Sequence, residues 1–221
     1  MRKIKPMLFS GPMIRAIKAQ RKTQTRRIIK PQPADYSDPL ISFAFGRAQY
    51  SWRDHRKGNG DLIWFEPRWQ RGDIVWVRET FAHVGSVDPQ IFITRADYPD
   101  CVPRGYENLP ADSDIKWCPS IHMLQRDSRI TLEIMDHRVE RLNDITDQDA
   151  IAEGIYYDEE RRAWRYDPAA CAPSPVAAYA ALWDHINGPG SWAKNPWVTV
   201  TDFSAQFCNV KEVTDALAQV A

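Results

Sequence analysis

The chain has 221 residues, a length that suits one domain with insertions or at most two small ones. Hydrophobic residues make up 43% and charged residues 26%, so a packed core is expected and disorder is not the default. Lys plus Arg equals 29 and Asp plus Glu equals 29, and this balance disfavours a sequence-blind duplex binder, which carries a basic excess.

Charge is nevertheless uneven. Residues 1 to 30 hold ten Lys or Arg and no acid. That stretch either meets a phosphate or forms a solvated basic edge balanced elsewhere. The nine Trp supply either core area or stacking platforms for bases. Cys101, Cys118, Cys171 and Cys208 form no C-x-x-C pair, and the His residues fall into no ligand spacing. No zinc site and no cofactor is expected, and a reducing, cytoplasmic compartment fits the cysteine usage. No run approaches the ~20 apolar residues of a membrane span, so no membrane partner is expected.

In chain order, Pro6 to Ser10 reads as a first strand, broken by Gly11-Pro12. Met13, Ile14, Ala16 and Ile17 recur at helical spacing and predict a helix over 12–20. Thr23 to Ile29 alternates and predicts a second strand. Residues 31–70 show little period and read as a long loop, with a hairpin at Asn59-Gly60. Core strands follow at Ile74 to Phe81 and Ile91 to Arg95, then a second insertion at 97–119 and a long strand from Arg129 to Leu142. Thr146 with Asp149 has the form of a capping box. Residues 157–168 read as a charged hairpin, Val176 to Ile186 as a helix ending at Asn187-Gly188, and Trp197 to Phe203 as the last strand. Strands outnumber helices without strict alternation, which argues for a small barrel or α+β domain over a doubly wound sheet. There is no P-loop and no G-x-G-x-x-G.

Three segments carry candidate chemistry. In the first, Gln20 to Arg27, strand parity puts Thr23, Thr25 and Arg27 on one face and Gln24 and Arg26 on the other, and leaves Lys22 free to fold over Thr25. An amine beside a hydroxyl is a base–nucleophile pair when its pKa is lowered, and Arg21, Arg26 and Arg27 act in that direction. The plainer reading is a basic helix C-terminus. The second segment ends in Glu153-Gly154, where the carboxylate is either a surface group or a cleft acid. In the third, Trp192 and Trp197 flank Asn195, either as a base-reading set or as a hydrophobic plug.

With these residues in view, the chain resembles the ASCH family of PUA-like β-barrels, in a branch found in phages and prophages. The marks are Lys5-Pro6-Met7-Leu8-Phe9-Ser10, Arg21-Lys22-Thr23-Gln24-Thr25-Arg26-Arg27, Gly72-Asp73 with Trp76-Val77-Arg78-Glu79, Pro119-Ser120-Ile121-His122-Met123, Ala152-Glu153-Gly154-Ile155, and Ser191-Trp192 with Asn195-Pro196-Trp197-Val198. The resemblance implies an α+β fold: a small β-barrel flanked by helices, one domain over residues 1–205 with insertions near 31–70 and 97–119, and a tail over 206–221.

The resemblance also implies RNA or a modified nucleoside as partner, in the cytoplasm (the host's, if phage-encoded). A small bacterial branch similar at the Lys-Thr junction hydrolyses N4-acetylcytidine. Carried over, its catalytic group would be Lys22, Thr25 and Glu153, with Arg21, Arg26, Arg27, Arg78, Trp192 and Asn195 binding substrate or nucleic acid. The family pattern often has Gly where this chain has Gln20, and an acid near the Thr where this chain has none. A non-catalytic binder, a ribonuclease and a phage interaction protein remain alternative functions.

Overall fold

The structure is a computed structural model and describes residues 3–33, 39–44, 47–53, 62–85, 90–106, 108–166 and 171–220. The elements run β1 (Ile4–Leu8), α1 (Gly11–Lys18), β2 (Gln24–Ile28), β3 (Leu40–Ala44), β4 (Arg47–Arg53), β5 (Leu62–Phe65), β6 (Ile74–Arg78), β7 (Phe81–Val84), β8 (Ile91–Thr94), β9 (Thr131–Arg141), α2 (Asp147–Ala152), β10 (Tyr156–Asp158), β11 (Ala163–Arg165), α3 (Pro175–Asn187), β12 (Trp197–Gln206) and α4 (Val210–Val220). This is a mixed α+β architecture, and the described strands do not close into a barrel. No helix among the described residues is long and apolar enough to cross a membrane.

Two compact units divide the chain, and both are discontinuous in sequence. One takes residues 1–20, 74–133 and 205–221; the other takes 21–73 and 134–204.

In the first unit β6 lies between β1, to which it runs parallel, and the start of β9, to which it runs antiparallel. Ile74, Val75, Trp76 and Val77 are all buried, as expected of a strand covered on both faces. Helix α4 packs Val210 and Leu217 against Ile74 and Trp76. The expected tail is thus in part a helix that completes a core, which its apolar spacing (Val210, Val213, Leu217) could have disclosed. The expected strand over 74–81 is two strands. Between them the Glu79 carboxylate is buried and takes Arg129 Nε and Nη2, each at 2.8 Å. Within the expected insertion at 97–119, Tyr98, Cys101, Val102, Ile115 and Trp117 pack with Ala82 and Ile93 of the β7–β8 hairpin, so these residues are not in an open loop.

In the second unit β2 pairs antiparallel with β12, and β12 neighbours the later part of β9. The expected loop at 31–70 contains an antiparallel meander, β3-β4-β5, while the hairpin expected at Asn59-Gly60 lies outside the described residues. Ala48, Tyr50 and Trp52 alternate along β4 and are buried with Ile29 and Trp197, so the period of two is present but spans only a short, Gln- and Arg-containing strand. Helix α2 carries the expected capping box: Thr146 accepts from Asp149 N, and Asp149 reaches back to Thr146 N. Ser174 caps α3, Pro175 opens it, and Gly188 ends it at φ 97°.

Candidate functional site

The site forms where the chain enters β2. Gln20 has φ 56°, a left-handed conformation that costs a residue with a Cβ about 1–2 kcal/mol. Two residues on, Lys22 makes an isolated antiparallel bridge to Glu153, and Thr23 N donates to Ala152 O at 2.8 Å. These bonds fasten the start of β2 to the end of α2. Gly154 then turns the chain away at φ 107°.

The bridge brings an amine and a carboxylate 131 residues apart into contact, with Lys22 Nζ 2.6 Å from Glu153 Oε2. Lys22 is 2% exposed and Glu153 4%. Lys22 Nζ also donates to Gln24 O at 2.8 Å and Glu153 O at 2.9 Å, so all three ammonium protons have acceptors. Burial pulls the Lys22 pKa below its ordinary value. Glu153 opposes that pull, and the Arg27 and Arg26 charges reinforce it.

Around the pair lies a network of ions. Arg26, its side chain fully buried, meets Glu140 at 2.8 Å, Asp149 at 3.4 Å and Glu153 at 3.5 Å, and bonds the Gln24 side chain. Arg138 binds Glu140 at 2.7 Å, Asp149 at 2.8 Å and Asp202 at 3.3 Å. Gln24 Nε2 joins Asp149 and Asp202. Three cations thus share four carboxylates, each carboxylate in contact with at least one of them, and among the described residues no group of His, Cys, Asp and Glu is arranged to hold a metal ion. The Asp149 carboxyl is held well below the usual range: burial pushes it up, but hydrogen bonds from Thr146 and Gln24 and the Arg26 charge outweigh that. Tyr179 of α3 is buried within reach of the same groups. Burial first, then the negative charge of Glu153, pushes its phenol well above the ordinary value.

Thr25 lies on the opposite strand face from Gln24 and Arg26, as parity predicts. It pairs with Thr201, and Arg27 pairs with Thr199. No hydrogen bond from the Thr25 hydroxyl is found among the described residues, to Lys22 or to any other group. On the same face Arg27, with Thr199, Thr201, Glu66, Arg68 and Trp69, lines a cavity of about 270 Å³; Thr25 itself is buried and is not part of that lining. Arg27 and Arg68 both lie against the Trp69 ring, at 5.4 and 4.9 Å from its centroid.

The structure thus joins Lys22, Glu153 and Arg26 directly and sets Thr25 and Arg27 on one face of β2, of which Arg27 reaches the cavity. Arg21 stacks on Tyr156 at 4.4 Å and reaches Gly154 O at 3.5 Å, bracing the turn after Glu153. Trp192 packs edge-on against Tyr179, with its backbone N bonded to Asp184. Asn195 sits at φ 44°, its side-chain oxygen taken by Asn143 N and its carbonyl by Arg141. Trp197 is sealed in the core against Trp52 at 5.6 Å, so the two Trp residues do not clamp a base about Asn195. Arg78 belongs to the other unit, where its guanidinium covers Trp76 at 4.6 Å.

Sequence reasoning missed Tyr179, Trp69, Arg68 and the Arg138–Glu140–Asp202 set. Arg138 and Glu140 are two apart on β9 and share a face, which is a readable signal; Trp69 and Arg68 sit in a stretch with no period.

Comparison of the chain with protein-family models, with curated proteins and with solved structures returned no match. Fold and site together define a class only: a mixed α+β protein with a buried Lys–Glu pair beside a polar, arginine-lined cavity.

Proposed function

We propose that this protein is an ASCH-type, nucleoside- or RNA-directed protein of the PUA-like class, and that it hydrolyses the acyl amide of N4-acylated cytosine. The observation that carries the reading is the buried Lys22–Glu153 pair at 2.6 Å, with Thr25 three residues away on a strand that borders an open cavity. A proton passed from Lys22 to Glu153 along that bond leaves a neutral amine. By releasing Gln24 O the amine swings to Thr25 and takes its hydroxyl proton. The Thr25 oxygen attacks the acyl carbon, the C–N bond breaks, and Glu153 protonates the departing cytosine amine. Water then cleaves the acyl ester and regenerates Thr25. Arg27, on the Thr25 side, faces the developing oxyanion. The pair must keep one proton for the leaving amine, so activity falls as pH rises through the lowered Lys22 value, on a limb set below the ordinary Lys value of 10.5.

The test is turnover of N4-acetylcytidine, free and embedded in RNA. Lys22→Ala, Thr25→Val and Glu153→Gln should each lower kcat by about 10²-fold or more. Wild-type protein that leaves every acylated cytidine intact rules the hydrolase out.

A second reading is favoured by the fully bonded ammonium of Lys22 and by the turn of Thr25 away from Arg26. Here the pair is structural and the cavity face binds RNA or a modified base without reacting. An RNA affinity that persists in Lys22→Ala, falls with salt and accompanies no turnover supports it.

A further inference from the structure

The cavity on the Thr25 face has a chemistry of its own. Its walls include Arg27, Arg68, Thr199 and Thr201, with the Thr199 hydroxyl donating to Arg27 O at 3.3 Å. No ion-pair partner of Arg68 is found among the described residues, and the residue is exposed. The one carboxylate on the wall, Glu66, accepts from Arg47 Nε at 2.8 Å, while Arg47 Nη1 and Nη2 hold the buried Asp73 carboxylate. Two guanidinium groups against one carboxylate give the lining a positive excess.

Trp69 is the aromatic group there, but it is only 8% exposed and both guanidinium groups lie against it. A ring so covered leaves no plate for a base. It serves instead to hold two planar cations in place, lowering the entropy lost when they grip a ligand. Two fixed guanidinium groups suit the tetrahedral oxygens of a phosphate.

The geometry points to this cavity as a phosphate subsite, gripped by Arg68 and Arg27, beside the nucleoside site. The true ligand is then phosphorylated: a nucleotide, or a nucleotide residue within RNA. The consequence for substrate rests on the nucleoside reading above; the subsite itself requires no reaction at Lys22 or Thr25.

The experiment is calorimetric titration of the full chain with cytidine, cytidine 5′-monophosphate, inorganic phosphate and a short single-stranded oligocytidine, repeated with Arg68→Gln. Arg68 is exposed, so the variant is expected to fold. The monophosphate should bind about tenfold or more tightly than cytidine, and Arg68→Gln should remove most of that advantage while changing cytidine affinity less than twofold. If RNA is the source of the phosphate, Arg68→Gln also lowers the salt slope of oligocytidine binding by about one; a free nucleotide as source leaves that slope unchanged. Phosphate binding that depends on Arg68 without any cytidine binding sustains the subsite and removes the nucleoside reading. Equal affinity for cytidine and its monophosphate, or no binding of any phosphate, overturns the subsite and leaves the nucleoside reading standing or falling on cytidine alone.

Discussion

At Lys22 the same burial that loads the side chain for chemistry makes it a liability for stability. Removing one member of a buried ion pair strands the other, at a cost of about 3–5 kcal/mol, whereas replacing both with apolar groups is often near neutral. Arg26, 3.5 Å from Glu153, softens the loss. Lys22→Met is therefore expected to destabilise the protein by about 3 kcal/mol in urea unfolding, and Lys22→Met with Glu153→Leu by clearly less. Equal losses in the two variants would mean that the pair is not coupled as described. Parity along β2 placed Thr25 with Arg27 and Gln24 with Arg26, and the register with β12 bears that out. It left Lys22 undirected, because a side chain at a helix–strand junction follows its partner; the partner, Glu153, is 131 residues away.

Among the elements, α2 is the short piece on which the site turns. It has six residues, too few to be stable alone, so its cap and its packing must hold it. Thr146→Ala removes the hydroxyl bonded to Asp149 and should cost about 1 kcal/mol at neutral pH. The pH dependence follows from the depressed Asp149 carboxyl. Its contribution is present above the unfolded value near 3.8 and is lost as pH falls through the lower folded value. Without the Thr146 hydroxyl the folded value rises toward the unfolded one. Asp149 then contributes less at neutral pH, and the difference between wild type and variant shrinks as acid removes it. Urea unfolding at pH 7 and pH 3 measures both effects, and a Thr146→Ala deficit that does not shrink in acid contradicts them. The box was legible because capping is a three-residue rule. The β3-β4-β5 meander was not, since Leu40, Ile41 and Phe43 are exposed while Tyr50 and Trp52 are buried, and the sequence of each short strand does not say which apolar residues face inward.

Over the whole molecule, each compact unit gathers segments from distant parts of the chain. In the first unit the last segment, α4, closes over β6: Val210 is fully buried against Ile74 and Trp76. Val210→Ala should cost about 2 kcal/mol in urea unfolding, from the lost methyl groups and the space they leave; a loss below about 0.5 kcal/mol would show that α4 is not packed there. By itself the amino-acid order determined the elements with strong local signals: the β2 alternation, the Thr146 box, the Pro175-to-Gly188 helix and the long β9 strand. Each is set by contacts within a few residues, which a linear pattern records. Only the tertiary structure decided that Lys22 meets Glu153, that Arg26 is ringed by Glu140, Asp149 and Glu153, and that Arg68 and Trp69 join Arg27 at one cavity. Those meetings depend on how chain segments fold back on one another, and no short-range spacing encodes which buried charge will find which partner.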